Sequence, residues 1–538
     1  MGSALHQAQR GSKAGRVLAD TGVLPVALLL SFCVIVGKVG AFGQEMLTAA
    51  IFGASRSVDV FVTSRMAPSF IAGAIGSTLA LVVIPWLEEL KIKSQDSSRR
   101  QVPLAVVLGA SSAFVMLAFL CLMFALPLLQ GIAPGYSTRD QQRGALMMAA
   151  IIPSAYMDCL ALVLIALLQS KERFRDAAIA PLAGVALSIV VLLATSGFLH
   201  EWGLVLAYSL GSFTQAALLL RVAWPSLKVG KTTLVELTGL FREASHRGLP
   251  VLAAIAVLNI FAFTDRILAS SFGEGGVAVL NWAQKLMNLP IGIAVLPLLA
   301  AAFPQMAQVA LDPPRDRGIG KVLLVSTFAL IPAGVLLATA PELVVGAVFQ
   351  RGAFDAFAAA RTARVLAGYG VGLLFIGGFA VLVRIAYALG DRWSSVWASL
   401  VGAFVYLPAA LILSKMVGLE GVAQAYSIGM ACACMTLGVL IEMKHKAIGK
   451  VMWTGETLRI LASGLVMTIF MKGSLYLFRG ASGGLIATLI GGSALALYLV
   501  TCTVTGSETC RTLSEIAKSA LAKLVPFNSR RVGETAGR

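Results

Sequence analysis

Apolar runs of about 20 residues, the length a helix needs to cross the hydrocarbon core of a bilayer, recur from Leu24 to Val504 with only short polar breaks between them. No water-soluble core hides that much apolar surface: 58% of the 538 residues are hydrophobic and 13% are charged, with a mean hydropathy of +0.85. Backbone amides in lipid have no water to bond, so such runs must close their hydrogen bonds internally, as helices. The chain reads as an all-α polytopic membrane protein, and the runs number fourteen.

The placement of charge orients these helices. Formal net charge is +17, and the Lys and Arg fall in alternate loops: Arg10, Lys13 and Arg16; Lys91 to Arg100; Lys171, Arg173 and Arg175; Lys228 to Arg247; Arg315 to Lys321; Lys444 to Lys450; and the tail from Arg511 onward. The positive-inside rule makes this set cytoplasmic, which puts both termini inside and agrees with an even helix count. Orientation and contact with anionic lipid headgroups account for the basic charge without nucleic acid as a partner. Met1 to Asp20 lacks the long apolar segment of a cleaved signal peptide, so the first helix is expected to act as its own insertion signal. The seven Cys lie mostly in apolar runs and read as small packing residues rather than metal ligands or disulfides.

The expected organisation is a cytoplasmic tail (1–20), a first lobe of six helices (21–224), a cytoplasmic amphipathic linker (225–248), a second lobe of six (249–446), two extra helices (447–505) and an amphipathic cytoplasmic tail (506–538). In the linker Leu234, Leu237, Leu240 and Phe241 recur at helical spacing, as in a helix lying along a membrane surface. The lobes echo one another. Phe52-Gly53 matches Phe272-Gly273 at an offset of about 220 residues, and Ile84-Pro85 matches Phe303-Pro304, as Arg173-Phe174 matches Arg392-Trp393, at about 219. A six-helix offset preserves orientation in the membrane, so the lobes are expected to be parallel repeats with a substrate site between them.

Charges within the apolar runs are the informative residues. A cation at the centre of a spanning helix costs about 3 kcal/mol, so such groups face a protein interior or a watery cavity. Lys38, Arg65 and Lys285 stand on the first, second and eighth runs, the helices that a two-lobe arrangement brings to a central cleft, and Arg384 on the tenth is a further candidate. Gln284 and Asn288 neighbour Lys285, while Gln44 and Asn259 add amides on the first and seventh runs. Converging cations with amide neighbours suit a diphosphate head group, the amides serving sugar or peptide groups. Arg384 and Arg266, near helix ends, fit an interfacial or internally paired role as well. Asp158, Asp265 and Glu45 are candidate carboxylates for coupling to H+ or Na+, and Asp59 is expected to cap its own helix. The four His fall in loops or tails and no phosphate-binding GxxxxGK[ST] loop occurs, so the chain reads as a transporter, not an enzyme, with no metal and no cofactor beyond a coupling ion.

Several stretches carry a family resemblance: GKVGAFGQE leading to FGASRSVDVF; VVIPWLEE; LLQSKERFRDAAIAPL; FTDRILASSF; NWAQKLMNLPIGIAVLPLLAAAFPQMAQ; and FQRGAFDAFAAARTARVLAGYGVGLLF followed by RIAYALGDRW. In order and spacing the chain resembles the MurJ/MviN family of lipid II flippases, within the multidrug/oligosaccharidyl-lipid/polysaccharide exporter superfamily. The resemblance implies a V-shaped fourteen-helix fold in the bacterial cytoplasmic (inner) membrane that moves undecaprenyl-diphosphate-linked saccharides by alternating access. Its cargo would be lipid II or a lipid-linked exopolysaccharide unit, and envelope glycan synthesis machinery would be a partner. The departures are local. Of two arginines in the family's pattern on the first helix, one is Lys38 and the other Gln44; an arginine-rich stretch on the second reads Phe70-Ile71-Ala72-Gly73; and on the eighth an arginine is Lys285 and a following acid is Asn288. Two other functions remain consistent with the residues: an H+ or Na+ coupled drug antiporter working through Asp158 or Asp265, and a scaffold for envelope assembly.

Overall fold

The computed structural model describes residues 23–92, 96–171, 173–227, 234–295, 298–299, 316–446, 455–477 and 484–511. The expected N-terminal tail, the C-terminal tail beyond residue 511 with its amphipathic segment around Leu513 to Leu524, and the Phe303-Pro304 part of the repeat lie outside these residues. The described residues form helices joined by short turns, without strands.

The first lobe comprises α1 (Val23–Phe52), α2 (Arg56–Ile92), α3 (Asp96–Met123), the short α4 (Ala125–Ile132), α5 (Thr138–Gln169), α6 (Phe174–Leu199) and α7 (Glu201–Leu227). The second comprises α8 (Leu234–Ser270), α9 (Gly276–Pro290) with a π-helical turn at Ile291–Val295, α10 (Asp316–Thr339), the short α11 (Pro341–Phe349), α12 (Ala356–Ala388), α13 (Arg392–Val417) and α14 (Leu419–His445). Then come α15 (Gly455–Leu477) and α16 (Gly484–Val504). Eleven helices among the described residues are long and apolar enough to cross a membrane, and α16 contributes a shorter apolar stretch, Leu489–Val504.

The structure differs from the sequence expectation in three places. The amphipathic stretch from Leu234 and the following apolar run form one continuous helix, α8, although Gly248 and Pro250 stand between them. The third and ninth runs, expected as single helices, each divide, at Phe124 and Ala340, into a long helix and a short one. Both breaks fall at the corresponding point of their lobe, a repetition of structure that the sequence offset anticipates. Past α9, Pro290 has no N–H to donate, and the helix widens into the π turn.

Polar caps fix several helix starts. Ser137 accepts from the Asp140 amide to begin α5, Asp355 from Ala358 to begin α12, and Asp391 from Ser394 to begin α13. One buried cluster is built wholly from residues 72–227, including Phe114, Cys159, Leu164 and Leu219, and serves the first lobe. A larger one crosses between the lobes, placing Val58, Tyr136 and Met147 with Val277, Trp282 and Phe349. α15 and α16 pack Met467, Tyr498 and Cys502 against Ile331 of α10. The exterior carries Phe404, Val371, Leu477 and Met443 at 72–80% exposure. An apolar outside of this extent belongs in lipid. The six cysteines whose side chains are described are free, and Cys121, Cys159, Cys502 and Cys510 are buried in packing positions.

At one end of the molecule the lobes meet backbone to backbone. The Ala353 amide donates to Ala50 O at 2.7 Å and the Gly135 amide to Ser270 Oγ at 3.3 Å. Gly275 (φ +76°) and Gly352 (φ +60°) permit this approach, since a Cβ on either would stand 2.3 Å from a carbonyl oxygen of the other lobe, Ala54 or Ala50. Asp59 completes the seam. It was expected to cap its own helix; instead its carboxylate, fully buried, accepts from the amides of Gly275 (2.7 Å) and Ala278 (2.8 Å) and so caps α9 of the opposite lobe. Its own helix begins one turn earlier, at Arg56, which leaves the side chain free to reach across.

Candidate functional site: a charged cavity between the lobes

Beyond that seam the lobes separate around a cavity of about 630 Å³, lined from α1, α2, α5, α6 and α7 of the first lobe and from α8, α9 and the π turn of the second. Helical spacing sets what each element presents. On α1, Lys38 and Glu45 are two turns apart and share a face. On α2, Phe61, Arg65 and Ser69 are successive turns of one stripe, as are Asn281, Lys285 and Asn288 on α9. All of these line the cavity.

Eight residues singled out from the sequence are gathered here: Lys38, Gln44, Glu45, Arg65, Asp158, Asn259, Lys285 and Asn288. Three others, Gln284, Asp265 and Arg384, are not among the lining residues. Arg384 is partly buried on α12 and donates weakly to Ala380 O at 3.4 Å. Asp265 is completely buried within the second lobe, where it accepts hydrogen bonds from Tyr406 Oη (2.5 Å), Gln284 Nε2 (2.6 Å) and Tyr369 Oη (3.4 Å). The donors around it are protein groups, so the carboxylate is a satisfied acceptor. Gln284 spans the two environments, for its Oε1 accepts from Arg266 Nη1 at 2.9 Å, and Arg266 does line the cavity. The residue beside Lys285 thus faces Asp265, and a cation with an open assignment joins the site.

Within the cavity the charges are paired across elements. Lys285 Nζ lies 2.8 Å from Glu45 Oε1, a bridge from α9 of one lobe to α1 of the other. The Arg65 guanidinium sits 4.9 Å from the Tyr208 ring centroid and 5.8 Å from that of Phe61. Tyr208 in turn donates to Asp158. Asn259 and Asn288 donate to helix carbonyls, Ile255 O (2.7 Å) and Gln284 O (2.8 Å), which leaves their side-chain oxygens available to a guest. The lining carries Lys38, Arg65, Arg266 and Lys285 against Glu45 and Asp158, a surplus of two positive charges. Such a lining has the charge to suit an anion and polar groups to suit whatever is attached to it.

Sequence reading missed Tyr208, Ser212 and Gln215, all on the cavity wall. Their signal was present: they recur at i, i+4 and i+7 within an otherwise apolar helix, a polar stripe on α7. Tyr369 and Tyr406 gave no signal, since a tyrosine in an apolar run looks the same whether its hydroxyl serves a buried carboxylate or an interface. Among the described residues no group of three or more His, Cys, Asp or Glu is placed to hold a metal ion.

Comparison with known proteins places this geometry. Residues 48–491 match the family described as "Lipid II flippase MurJ". A probable lipid II flippase MurJ of Synechocystis sp. is 25% identical over 448 residues, covering 79% of this chain and 81% of that one. The lipid II flippase MurJ of Burkholderia cenocepacia is 23% identical over 439 residues, covering 78% and 84%. Among solved structures, a lipid II flippase MurJ in an inward closed conformation superposes with a TM-score of 0.73 at 19% identity, over 89% of this chain and 98% of that one. An inward-facing multidrug resistance transporter of the MATE family gives 0.61 at 16% identity, over 77% and 94%. The fold is therefore one shared with both kinds of transporter.

Proposed function

The chain belongs to the MurJ family of lipid II flippases, and from that membership we propose that it carries an undecaprenyl-diphosphate-linked envelope precursor from the inner to the outer leaflet of the bacterial cytoplasmic membrane. The cargo is lipid II or a lipid-linked polysaccharide unit. The observation that carries the reading is the convergence of Lys38, Arg65, Arg266 and Lys285, drawn from both lobes, on one cavity with surplus positive charge. A diphosphate supplies matching negative charge and enough oxygens to engage several cations at once. The amides of Gln44, Asn259 and Asn288 are left for the sugar or peptide part.

Alternating access, in this reading, works through the seam. In this reading both termini are cytoplasmic, and the turns that meet at the seam (53–55, 133–137, 272–275 and 350–355) belong to loops poor in Lys and Arg, which the charge bias assigns to the outer face. The conformation is then closed outward. Outward opening requires release of Asp59 from Gly275 and Ala278, of Ala353 from Ala50 and of Arg56 N from Glu274. Any coupling ion, H+ or Na+, has Asp158 and Glu45 at the cavity and Asp265 behind it as candidate carboxylates.

Lys285→Ala is the test. Purified as a folded protein and reconstituted in vesicles, it should fail to expose a labelled lipid-linked diphosphate glycan on the far leaflet. Transport at the parental rate overturns the assignment of the cavity.

A further inference from the structure

A cationic cavity built inside a membrane faces a selectivity problem. Phospholipid phosphodiesters with one negative charge vastly outnumber any polyprenyl diphosphate, and an unoccupied lysine attracts either. The cavity contains a group that answers this. Glu45 Oε1 lies 2.8 Å from Lys285 Nζ, so Lys285 already holds an anion before any guest arrives. Arg65 lines the same cavity on α2 and adds a second positive charge to the surroundings of that carboxylate. Asp158, the other acid on the lining, is engaged separately by Tyr208. Glu45 is thus seated in a made position, on a helix of the lobe opposite Lys285.

We propose that Glu45 is a specificity residue: an internal anion that occupies Lys285 in the empty cavity and excludes singly charged phospholipid headgroups, yielding only to a diphosphate. The argument rests on the reading of the cavity as a diphosphate site. A phosphodiester that displaces Glu45 exchanges one monoanion for another at Lys285 and gains little. A diphosphate brings a second ionised phosphoryl group, which engages Lys38, Arg65 or Arg266 while the first takes Lys285, so the exchange is favourable. Displacement also severs a tie between the lobes, so that the guest able to unseat Glu45 is the one that loosens α1 from α9.

The experiment uses the full chain in nanodiscs and native mass spectrometry to measure occupancy by undecaprenyl diphosphate in competition with phosphatidylglycerol. The parent should prefer the diphosphate. Glu45→Gln should lower the diphosphate-to-phosphatidylglycerol ratio by roughly ten-fold, the effect of removing one charge-assisted competitor, and Glu45→Asp, which keeps the anion, should retain most of the preference. An unchanged ratio in Glu45→Gln overturns the inference and leaves Glu45 as a structural tie, because a tie alters melting temperature without altering the ratio. A parent that shows no preference for the diphosphate overturns the reading of the cavity and this inference together.

Discussion

The Asp59 carboxylate and the Gly275 amide, 216 positions apart in the chain, meet at 2.7 Å with no water-accessible surface on the acid. With Ala278 they make a helix cap in which the capping residue belongs to one lobe and the capped helix to the other. A cap of this kind has a property an ordinary one lacks: it exists only while the two lobes are together. Its strength enters directly into the balance between closed and open forms.

Asp59→Ala should therefore shift that balance rather than unfold either lobe. Losing the cap leaves two buried amides without an acceptor at a cost of about 1–2 kcal/mol in the closed form, and nothing in a form where those amides meet water. Spin labels at Gln130 and Phe357, on opposite lobes near the seam, should show a longer-distance population growing by roughly ten-fold or more in the variant. A distance distribution identical to the parent's would show that the cap does not bias the lobes.

The pairing of Glu45 with Lys285 separates structure from transport. Lys285→Glu sets two carboxylates face to face across the lobes and should lower stability by about 1–2 kcal/mol, a value discounted because Lys285 is 37% exposed. Adding Glu45→Lys restores an ion pair with its polarity reversed. The double variant should recover the melting temperature while transport stays low, since the cation now stands on α1, away from the Asn281–Asn288 stripe. Recovery of transport along with stability would mean that the pair acts only as a tie.

Lys38, Arg65 and Lys285 were legible as cavity residues because lipid leaves a charge in an apolar run few places to go, and helix order brought their helices to the cleft. The repeated lobes were legible for the same kind of reason, a chain duplicated in register keeping its turn residues at a fixed offset. What sequence did not give is which partner a polar residue selects. Gln284 sits next to Lys285, yet a rotation of about 100° per residue turns it toward Asp265 and Tyr369. Asp59 has the sequence position of a local cap, and only the approach of the other lobe, made possible by Gly275, redirects it. Both depend on packing between segments far apart in the chain, which local periodicity does not encode.

The buried Asp265 supplies a test of packing energetics within the second lobe. Tyr406→Phe deletes the closest donor to its Oδ1 and the bond to Phe261 O, while keeping the ring stacked on Phe261 at 4.5 Å. An unsatisfied buried acceptor costs about 1–3 kcal/mol, so the melting temperature should fall clearly. Asp265→Asn in the same background should recover part of the loss, because a neutral amide is less costly to bury unpaired. A Tyr406→Phe protein as stable as the parent would mean that another donor replaces the hydroxyl.

At the end of the molecule opposite the seam, Asp391 is placed to give the fold a response to acid. It caps α13 through the Ser394 amide (3.2 Å) and hydroxyl (2.6 Å) and meets Lys444 of α14 at 3.0 Å. Partial burial alone raises the pKa of this carboxyl, but the Ser394 and Lys444 contacts outweigh it and hold the group below its ordinary value. A carboxyl whose pKa is depressed by folding stabilises the native state above the unfolded-chain value of about 3.9, and that contribution is lost as pH falls through the lower native value. The parent should therefore lose melting temperature between pH 5 and about pH 3 more steeply than Asp391→Asn, which has no charge there to lose, while at pH 7 the variant should be the less stable of the two. Parallel pH profiles for the two proteins would remove Asp391 from the acid response.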